Sequence, residues 1–350
     1  MTAAVVSDPD IRAASAAEPA LRVEGLSIDF VGRDATLRAV SNVNFSLRAG
    51  KTFALVGESG SGKSVTALAL MRLLPRPGGR LTEGSIELST PDGTLNLCSL
   101  SERQMRAVRG RMISMIFQEP MTALNPLFTV GEQIAEVIRL HLRRSRADAE
   151  RDAIALLDRV GIPSARQRVH SYPYEFSGGM RQRVGIAMAL ACRPLVMIAD
   201  EPTTALDVTI QAQILALIRE LQDERGMSVL FITHNLGVVA EIADDVAVMY
   251  AGEFVETGPT ADVLTASRHP YTRGLLECMP PEIDSASRHA ERQPLYAIPG
   301  SIPSLLDVTP GCRFAARCSY RLDMCEQAAI PMETIGPGRH SRCLRWKELA

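Results

Sequence analysis

The chain has 350 residues, 46% of them hydrophobic and 5% aromatic, with 38 Lys plus Arg against 40 Asp plus Glu, a composition that excludes a disordered chain and fits two or three folded units. The formal net charge of -2 removes the broad basic excess of a general nucleic-acid binder. Seven cysteines are too few for a secreted disulfide scaffold, and no run reaches the ~18 uninterrupted apolar residues of a membrane span, because residues 184–199 are broken by Arg193 and Pro194.

Residues 1–20 are rich in Ala, Ser and Asp and carry no basic-then-apolar leader, so a mobile arm of a cytoplasmic protein is expected there. Order is expected from Leu21, where Leu21-Arg-Val-Glu, Ser27-Ile-Asp-Phe and then Phe45-Ser-Leu alternate and predict a small antiparallel sheet. Phe53-Ala-Leu-Val predicts a buried strand entering a glycine-rich loop, and apolar residues 65–74 predict a helix stopped by Pro75. Residues 121–174 turn helical, with Ile134, Val137 and Ile138 on one face and Ile154, Leu157 and Val160 on another, around a charged joint at 143–151. A helical subdomain, about 119–176, is expected there. Beyond Ser177 helix and strand alternate: a helix from about Gly179, a strand at 195–199, a helix at 210–221 and a strand at 229–232. That order predicts a parallel sheet covered on both faces. Strands at 246–250 and 253–256, joined at Ala251-Gly252, predict a closing hairpin. Prolines crowd residues 280–311, which reads as a linker or draped segment.

The loop at 57–64, Gly-Glu-Ser-Gly-Ser-Gly-Lys-Ser, fits G-x-x-x-x-G-K-[ST] between a predicted strand and a predicted helix. Gly57, Gly60 and Gly62 let the backbone wrap an anion, and the N–H groups around Ser59 and Ser61 solvate phosphates. Lys63 reaches the outer phosphates, and the Ser64 hydroxyl ligates Mg2+. The strand Leu195-Val-Met-Ile-Ala ends in Asp200-Glu201, which supplies one carboxylate for the Mg2+ sphere and a second to orient or deprotonate water. Alone, two acids at a strand end also read as a solvated turn before Pro202; downstream of a phosphate loop the catalytic reading is preferred. His234 follows the strand at 229–232, at the carboxyl edge where open α/β sheets bind ligands. A γ-phosphate contact is expected of it, against the alternative of a structural imidazole.

Phe176-Ser-Gly-Gly-Met180, with Gln118 upstream and Thr204-Ala-Leu-Asp207 and His234 downstream, stands in one order with the phosphate loop and Asp200-Glu201. In these motifs the chain resembles the nucleotide-binding subunits of ABC transporters over nearly everything from Leu21 to Gly258. The resemblance implies an α/β P-loop NTPase core with an antiparallel β subdomain and a helical subdomain over 21–258. It further implies a head-to-tail dimer in which Ser177, Gly178 and Gly179 contact the γ-phosphate of ATP held by the opposite subunit. Such contacts suit a helix N-terminus with unobstructed N–H donors. By the same resemblance Gln118 senses Mg2+ and links the sheet to the helical subdomain, Asp207 lies at the dimer seam, and Glu201 is the general base. Phe30 matches the aromatic position that stacks on adenine, although a core phenylalanine is the alternative. Met180 departs from the Gln that many relatives carry, leaving the serine and glycines intact.

Cys312-x5-Cys318-x6-Cys325-x17-Cys343 falls in the last part of the chain, among Arg313, Phe314, Arg317, Tyr320, Arg321 and Trp346. Four thiols in a cytoplasmic tail suggest a metal site rather than disulfides. Zinc and iron–sulfur clusters both take four thiolates, and the spacing decides neither between them nor against unligated thiols. Ile298-Pro-Gly-x-x-Pro303 and Gly311-Cys-Arg-Phe-x-x-Arg-Cys318 resemble the C-terminal extension of the oligopeptide/dipeptide-type importer ATPases, placed here at 259–350. That resemblance implies a [4Fe-4S] cluster on Cys312, Cys318, Cys325 and Cys343, in a structural role.

The expectation is therefore an ATPase subunit, peripheral on the cytoplasmic face of the membrane, powering uptake of di- and oligopeptides. Its partners would be a second ATPase subunit, preferably a different one, two permease subunits and a substrate-binding protein, with no nucleic acid. Nickel chelates, glutathione or oligosaccharides are alternative cargoes, since the engine does not line the transport path. Non-transport relatives in DNA repair or chromosome organisation insert long coiled coils, for which residues 118–177 are too short, and translation factors carry two engines in one chain. A regulatory GTPase would need N-K-x-D, which is absent.

Overall fold

The computed structural model describes residues 18–33, 35–118, 123–204, 206–279, 296–304 and 310–349. The expected N-terminal arm falls almost wholly outside these residues, as does most of the proline-rich 280–311 segment. Two long strands come first among the described residues, β1 (Pro19–Val31) and β2 (Thr36–Arg48), β1 beginning two residues before the predicted Leu21. They lead into β3 (Thr52–Val56) and α1 (Lys63–Leu70), which ends short of the predicted 65–74 helix, at a Met71 C-cap. Next come β4 (Gly79–Thr90), β5 (Gly93–Asn96), α2 (Glu102–Val108) and β6 (Ile113–Ile116), followed by α3 (Val130–Leu142), α4 (Arg146–Arg159), α5 (Ala165–Arg168) and α6 (Gly178–Leu190). Helix and strand then alternate through β7 (Val196–Asp200), α7 (Val208–Arg225), β8 (Ser228–Thr233) and α8 (Leu236–Ile242). After the β9 (Asp245–Tyr250) and β10 (Glu253–Pro259) pair come α9 (Thr260–Thr265), α10 (Pro270–Glu277) and two short tail strands, β11 (Glu333–Gly336) and β12 (Arg339–Ser341). No helix among the described residues is long and apolar enough to cross a membrane.

These elements divide into two compact units. The first takes residues 18–23, 45–51 and 85–230. Within it β6 and β7 pair in parallel, Ile113 opposite Val196 and Ile116 opposite Ala199. Every β7 residue is buried, as an uninterrupted apolar run requires when both sheet faces are covered. The β4–β5 hairpin pairs antiparallel, with Leu88 opposite Leu95. Helices α3, α4 and α6 pack on one another. α3 starts on a capping box in which Thr129 and Glu132 exchange hydrogen bonds, and α4 starts on Ser145, whose hydroxyl accepts the Asp148 N–H. Ile134, Ile138, Ala149, Ala153 and Leu157 fill their shared interior, with Val137 and Ile154 at its half-buried margin.

The second unit takes residues 24–44, 52–84 and 231–349, so the chain passes from one unit to the other inside β8. Here β3 pairs in parallel with β9, Phe53 opposite Asp245 and Val56 opposite Val248, and β9 pairs antiparallel with β10. The turn joining them places Ala251 and Gly252 at φ of +45° and +88°, which is why a glycine stands there. The tail extends this sheet: β12 lies antiparallel against β10, Glu256 opposite Ser341, and β11 pairs with β12. Phe314 joins a core built from Ala54 and Val56 of β3 together with Val246, Val248, Tyr250 and Tyr271. The C-terminal extension therefore shares its hydrophobic core with the strand that feeds the phosphate loop.

Candidate nucleotide site and cysteine pocket

All five residues of β3 are buried, so the phosphate loop begins from a fixed point. No side chain fits at Gly57: a Cβ there would stand 2.1 Å from the Met249 carbonyl oxygen and 2.8 Å from Ser61 Oγ. Gly60 and Gly62 adopt φ of +81° and +107°, which side chains strain to reach. Gly62 N-caps α1 without a side-chain cap, and the first turn carries no acid. The helix dipole and its first-turn N–H groups are thereby left to an external anion. Lys63 is buried, its Nζ donating to the carbonyls of Gly57 at 2.8 Å and Glu58 at 2.9 Å. Ser61 Oγ is buried without a protein partner, an orphaned hydroxyl that a phosphate oxygen would satisfy. Ser59 is exposed and Ser64 half-buried. Ammonium, amide and hydroxyl donors in a cradle that excludes side chains fit a nucleotide triphosphate.

In the other unit β7 ends at Asp200, only 3% exposed, and Glu201 follows at φ of +47°. A side-chain-bearing residue held in this left-handed region stores strain, which persists where the surroundings enforce it. Glu201 Oε2 accepts from Thr204 Oγ1 at 2.8 Å and from Gln118 Nε2 at 3.3 Å, so the structure brings Gln118 and Glu201 together. Asp207 N-caps α7, its Oδ1 accepting the Ile210 N–H at 2.9 Å. Ser177 N-caps α6 and accepts the Met180 N–H at 3.3 Å. Ser177 and Gly178 are exposed, and a Cβ on Gly178 would meet nothing within 4 Å, whereas one on Gly179 would press on Ile210 Cγ2 at 3.0 Å. No acid stands in the first turn of α6. The motif's aromatic residue, Phe176, is buried beneath the Arg168 guanidinium, 5.6 Å from its ring centre.

His234 is exposed immediately beyond β8, at the strand's carboxyl end. Phe30 is half-buried, its ring edge against Gly79, where a Cβ would meet Phe30 Cε1 at 3.2 Å. One ring edge is thus spent on packing. Motif spacing did not point to Tyr271, whose buried hydroxyl accepts the Glu58 N–H at 2.9 Å and steadies the phosphate loop from α10. Its one sequence trace is an aromatic residue in an amphipathic stretch after Pro270.

The four tail cysteines, all unpaired, line a single pocket together with His269, Phe314 and Tyr320. A backbone bond from the Cys312 N–H to the Cys325 carbonyl, 2.7 Å, holds two of them together. Gly311 is obligatory beside it, because a Cβ would stand 2.1 Å from the Cys325 oxygen. Burial pushes the Cys312 thiol up to about 12 and the Cys343 thiol up to about 11, and raises Cys318 as well. On their own these three thiols stay protonated near neutral pH; binding to a metal would deprotonate them. Among the described residues no group of three or more His, Cys, Asp and Glu side chains is arranged to hold a single metal ion.

Residues 40–204 match the ABC transporter family model, and residues 255–325 match the model for the oligopeptide/dipeptide transporter C-terminal region. A Brucella abortus (strain 2308) protein, named as a peptide import ATP-binding protein, is 53% identical over 334 residues, 95% of this chain and 99% of its own. The dipeptide transport ATP-binding protein DppD of Bacillus subtilis is 49% identical, covering 93% of both chains. The oligopeptide transport ATP-binding protein OppD of Salmonella typhimurium is 47% identical, covering 97% of this chain and 98% of its own. Among solved structures, the ATP-binding cassette MJ0796, a dimer in a post-hydrolysis state bound to ADP and Pi, superposes with a TM-score of 0.61. It is 26% identical and covers 69% of this chain and 98% of its own. With the phosphate loop, the strained acid after β7 and the tail motifs all in place, the chain belongs to the ABC transporter ATP-binding proteins, ATP-hydrolysing subunits, in the branch that carries the oligopeptide/dipeptide transporter C-terminal region.

Proposed function

We propose that this ATPase powers uptake of di- and oligopeptides through a separate membrane permease. The observation that carries the reading is full-length identity of about half with relatives named for peptide, dipeptide and oligopeptide transport, tail region included. Its partners are a second ATPase subunit, two permease subunits and a substrate-binding protein, which together hold it on the cytoplasmic face of the membrane. The chain divides functionally into an arm at 1–20, the ATPase domain at 21–258, with its helical subdomain at about 119–176, and the extension at 259–350.

Residues 57–64 bind the triphosphate, Lys63 neutralising the outer phosphates, while Phe30 stacks on adenine. Ser64 and Asp200, hard oxygen donors, would hold Mg2+, with Gln118 as its sensor; the ion supplies charge neutralisation along the phosphates. Glu201 accepts the proton of the attacking water, positioned by its bonds to Thr204 and Gln118, and His234 contacts the γ-phosphate. Ser177, Gly178 and Gly179 offer the α6 N-terminus to the ATP of the opposite subunit, with Asp207 at the seam. Hydrolysis then removes a bridging anion and loosens the dimer.

Cys312, Cys318, Cys325 and Cys343 would supply the four thiolates of a [4Fe-4S] cluster, in preference to zinc, with a structural role; what supports this is that all four line one pocket. Anaerobic purification should yield iron, sulfide and broad visible absorption; protein lacking all three counts against the cluster. Reconstitution with the permease and a panel of peptides, nickel chelates and sugars tests the cargo. Binding-protein-dependent ATPase stimulation by peptides is expected, and stimulation by another cargo alone would overturn the peptide reading.

A further inference from the structure

Hydrolysis as derived above makes no use of the two tail motifs, Ile298-Pro299-Gly300 and the stretch from Gly311 to Cys318. In the structure both converge on one side chain, Arg317. Its Nη1 donates to Glu58 Oε2 at 2.7 Å and its Nη2 to Glu58 Oε1 at 3.1 Å, a forked grip on the second residue of the phosphate loop. Nε donates to the Pro299 carbonyl at 2.8 Å, Nη2 to that of Ile298 at 3.3 Å and Nη1 to Tyr250 Oη at 3.4 Å. Gly300, at φ of +75°, leaves only 3.4 Å between its missing Cβ and Arg317 Cγ, so the turn closes directly over the arginine stem. The guanidinium lies 5.8 Å from the Tyr250 ring centre and 5.9 Å from that of Phe314. The arginine side chain is 6% exposed and the Glu58 side chain 29%.

Glu58 is a charge out of place. A carboxylate inside an anion-binding loop repels the phosphates the loop exists to hold. Its backbone matters as well: the carbonyl anchors Lys63 Nζ at 2.9 Å and the Ser61 N–H at 3.2 Å, and the N–H donates to Tyr271 Oη at 2.9 Å. Whatever fixes Glu58 therefore also fixes the lysine of the site.

We propose that Arg317 is a positioning residue of the nucleotide site: through it the C-terminal extension neutralises Glu58 and holds the phosphate loop open to a triphosphate. The proposal rests on the loop holding ATP, so wild-type MgATP affinity is measured first, and a wild-type chain that does not bind MgATP would strike that reading instead. In the full chain, Arg317→Gln should weaken MgATP binding about tenfold while kcat at saturating ATP stays within about twofold. Glu58→Gln alone, which loses the fork but leaves no stray carboxylate, should weaken binding by less than Arg317→Gln does. The double variant Glu58→Gln/Arg317→Gln should recover most of the lost affinity, because no stray carboxylate remains. A tail merely glued to the domain, or damage to the cysteine pocket, would not be rescued in this way. Wild-type affinity in Arg317→Gln, or a double variant as weak as Arg317→Gln alone, overturns the proposal. If Arg317→Gln does not fold, Arg317→Lys keeps the charge but loses the fork. It should bind about threefold more weakly, and wild-type affinity there overturns the proposal equally.

Discussion

The N-termini of α1 and α6 both carry no acid in their first turn, and they are finished differently. At 57–64 the chain encloses its own loop: Gly57 has no room for a methyl group, Lys63 is tied to two loop carbonyls, and Glu58 is gripped by Arg317 and Tyr271. At 177–179 the start of α6 is bare, with Ser177 and Gly178 exposed and open space where a Gly178 side chain would be. The first is completed from within; the second offers donors on an exposed helix end, as a site completed by another subunit would. Under the proposed roles, the difference predicts that nucleotide affinity and turnover separate on substitution.

The largest separation should come from the acid following β7. Glu201→Gln should lower steady-state turnover roughly a thousandfold while MgATP affinity stays within about twofold. Wild-type turnover would remove Glu201 as the base. Gly57→Ala attacks the enclosed loop: a Cβ 2.1 Å from the Met249 oxygen forces the backbone apart, so MgATP binding should fall about a hundredfold and stability by about 1–3 kcal/mol. Equilibrium binding and thermal melts read both, and normal binding would mean the loop is not enclosed as described. Gly178→Ala is the matched control, because its methyl group meets nothing within 4 Å. Melting temperature and MgATP affinity should be unchanged while turnover drops about tenfold, and full turnover would argue that this helix start is not used. The smallest effect concerns Cys192, buried in the first unit, where burial lifts the thiol to about 11. At pH 8 its alkylation should be slower than that of half-buried Cys278 by about tenfold or more, read by mass spectrometry, and equal rates would show that the site opens freely.

Much of this was legible along the chain because the signals are local. A continuous apolar strand, a glycine loop and a helix must follow one another to make a phosphate cradle, and residues 52–70 supply all three in order. Strands β7 and β8 stand within a residue or so of the predicted runs, since an uninterrupted apolar stretch has no other stable home. Helix ends were read less well: α7 runs Val208–Arg225 against a predicted 210–221, because caps at Asp207 and Gly226 rather than periodicity set its limits. The tail was the least legible. Its cysteines suggest a metal site, and they do line one pocket, but short strands such as β12, three residues long, carry no periodic signal and form only by pairing with β10 and β11.

The sequence by itself determined the motifs: which loop has the spacing of a phosphate cradle, which strand ends in acids, which helix start carries two glycines and which four thiols cluster in the tail. Each of these is written in neighbouring residues, or in residue types whose chemistry leaves few uses. Tertiary structure alone decided that Glu201 is held at a strained φ beside Gln118, and that Arg317 closes on Glu58 across more than two hundred residues of chain. Contacts of that kind depend on which surfaces the core brings together, and buried packing around Tyr250, Tyr271 and Phe314 leaves no local trace in the order of residues.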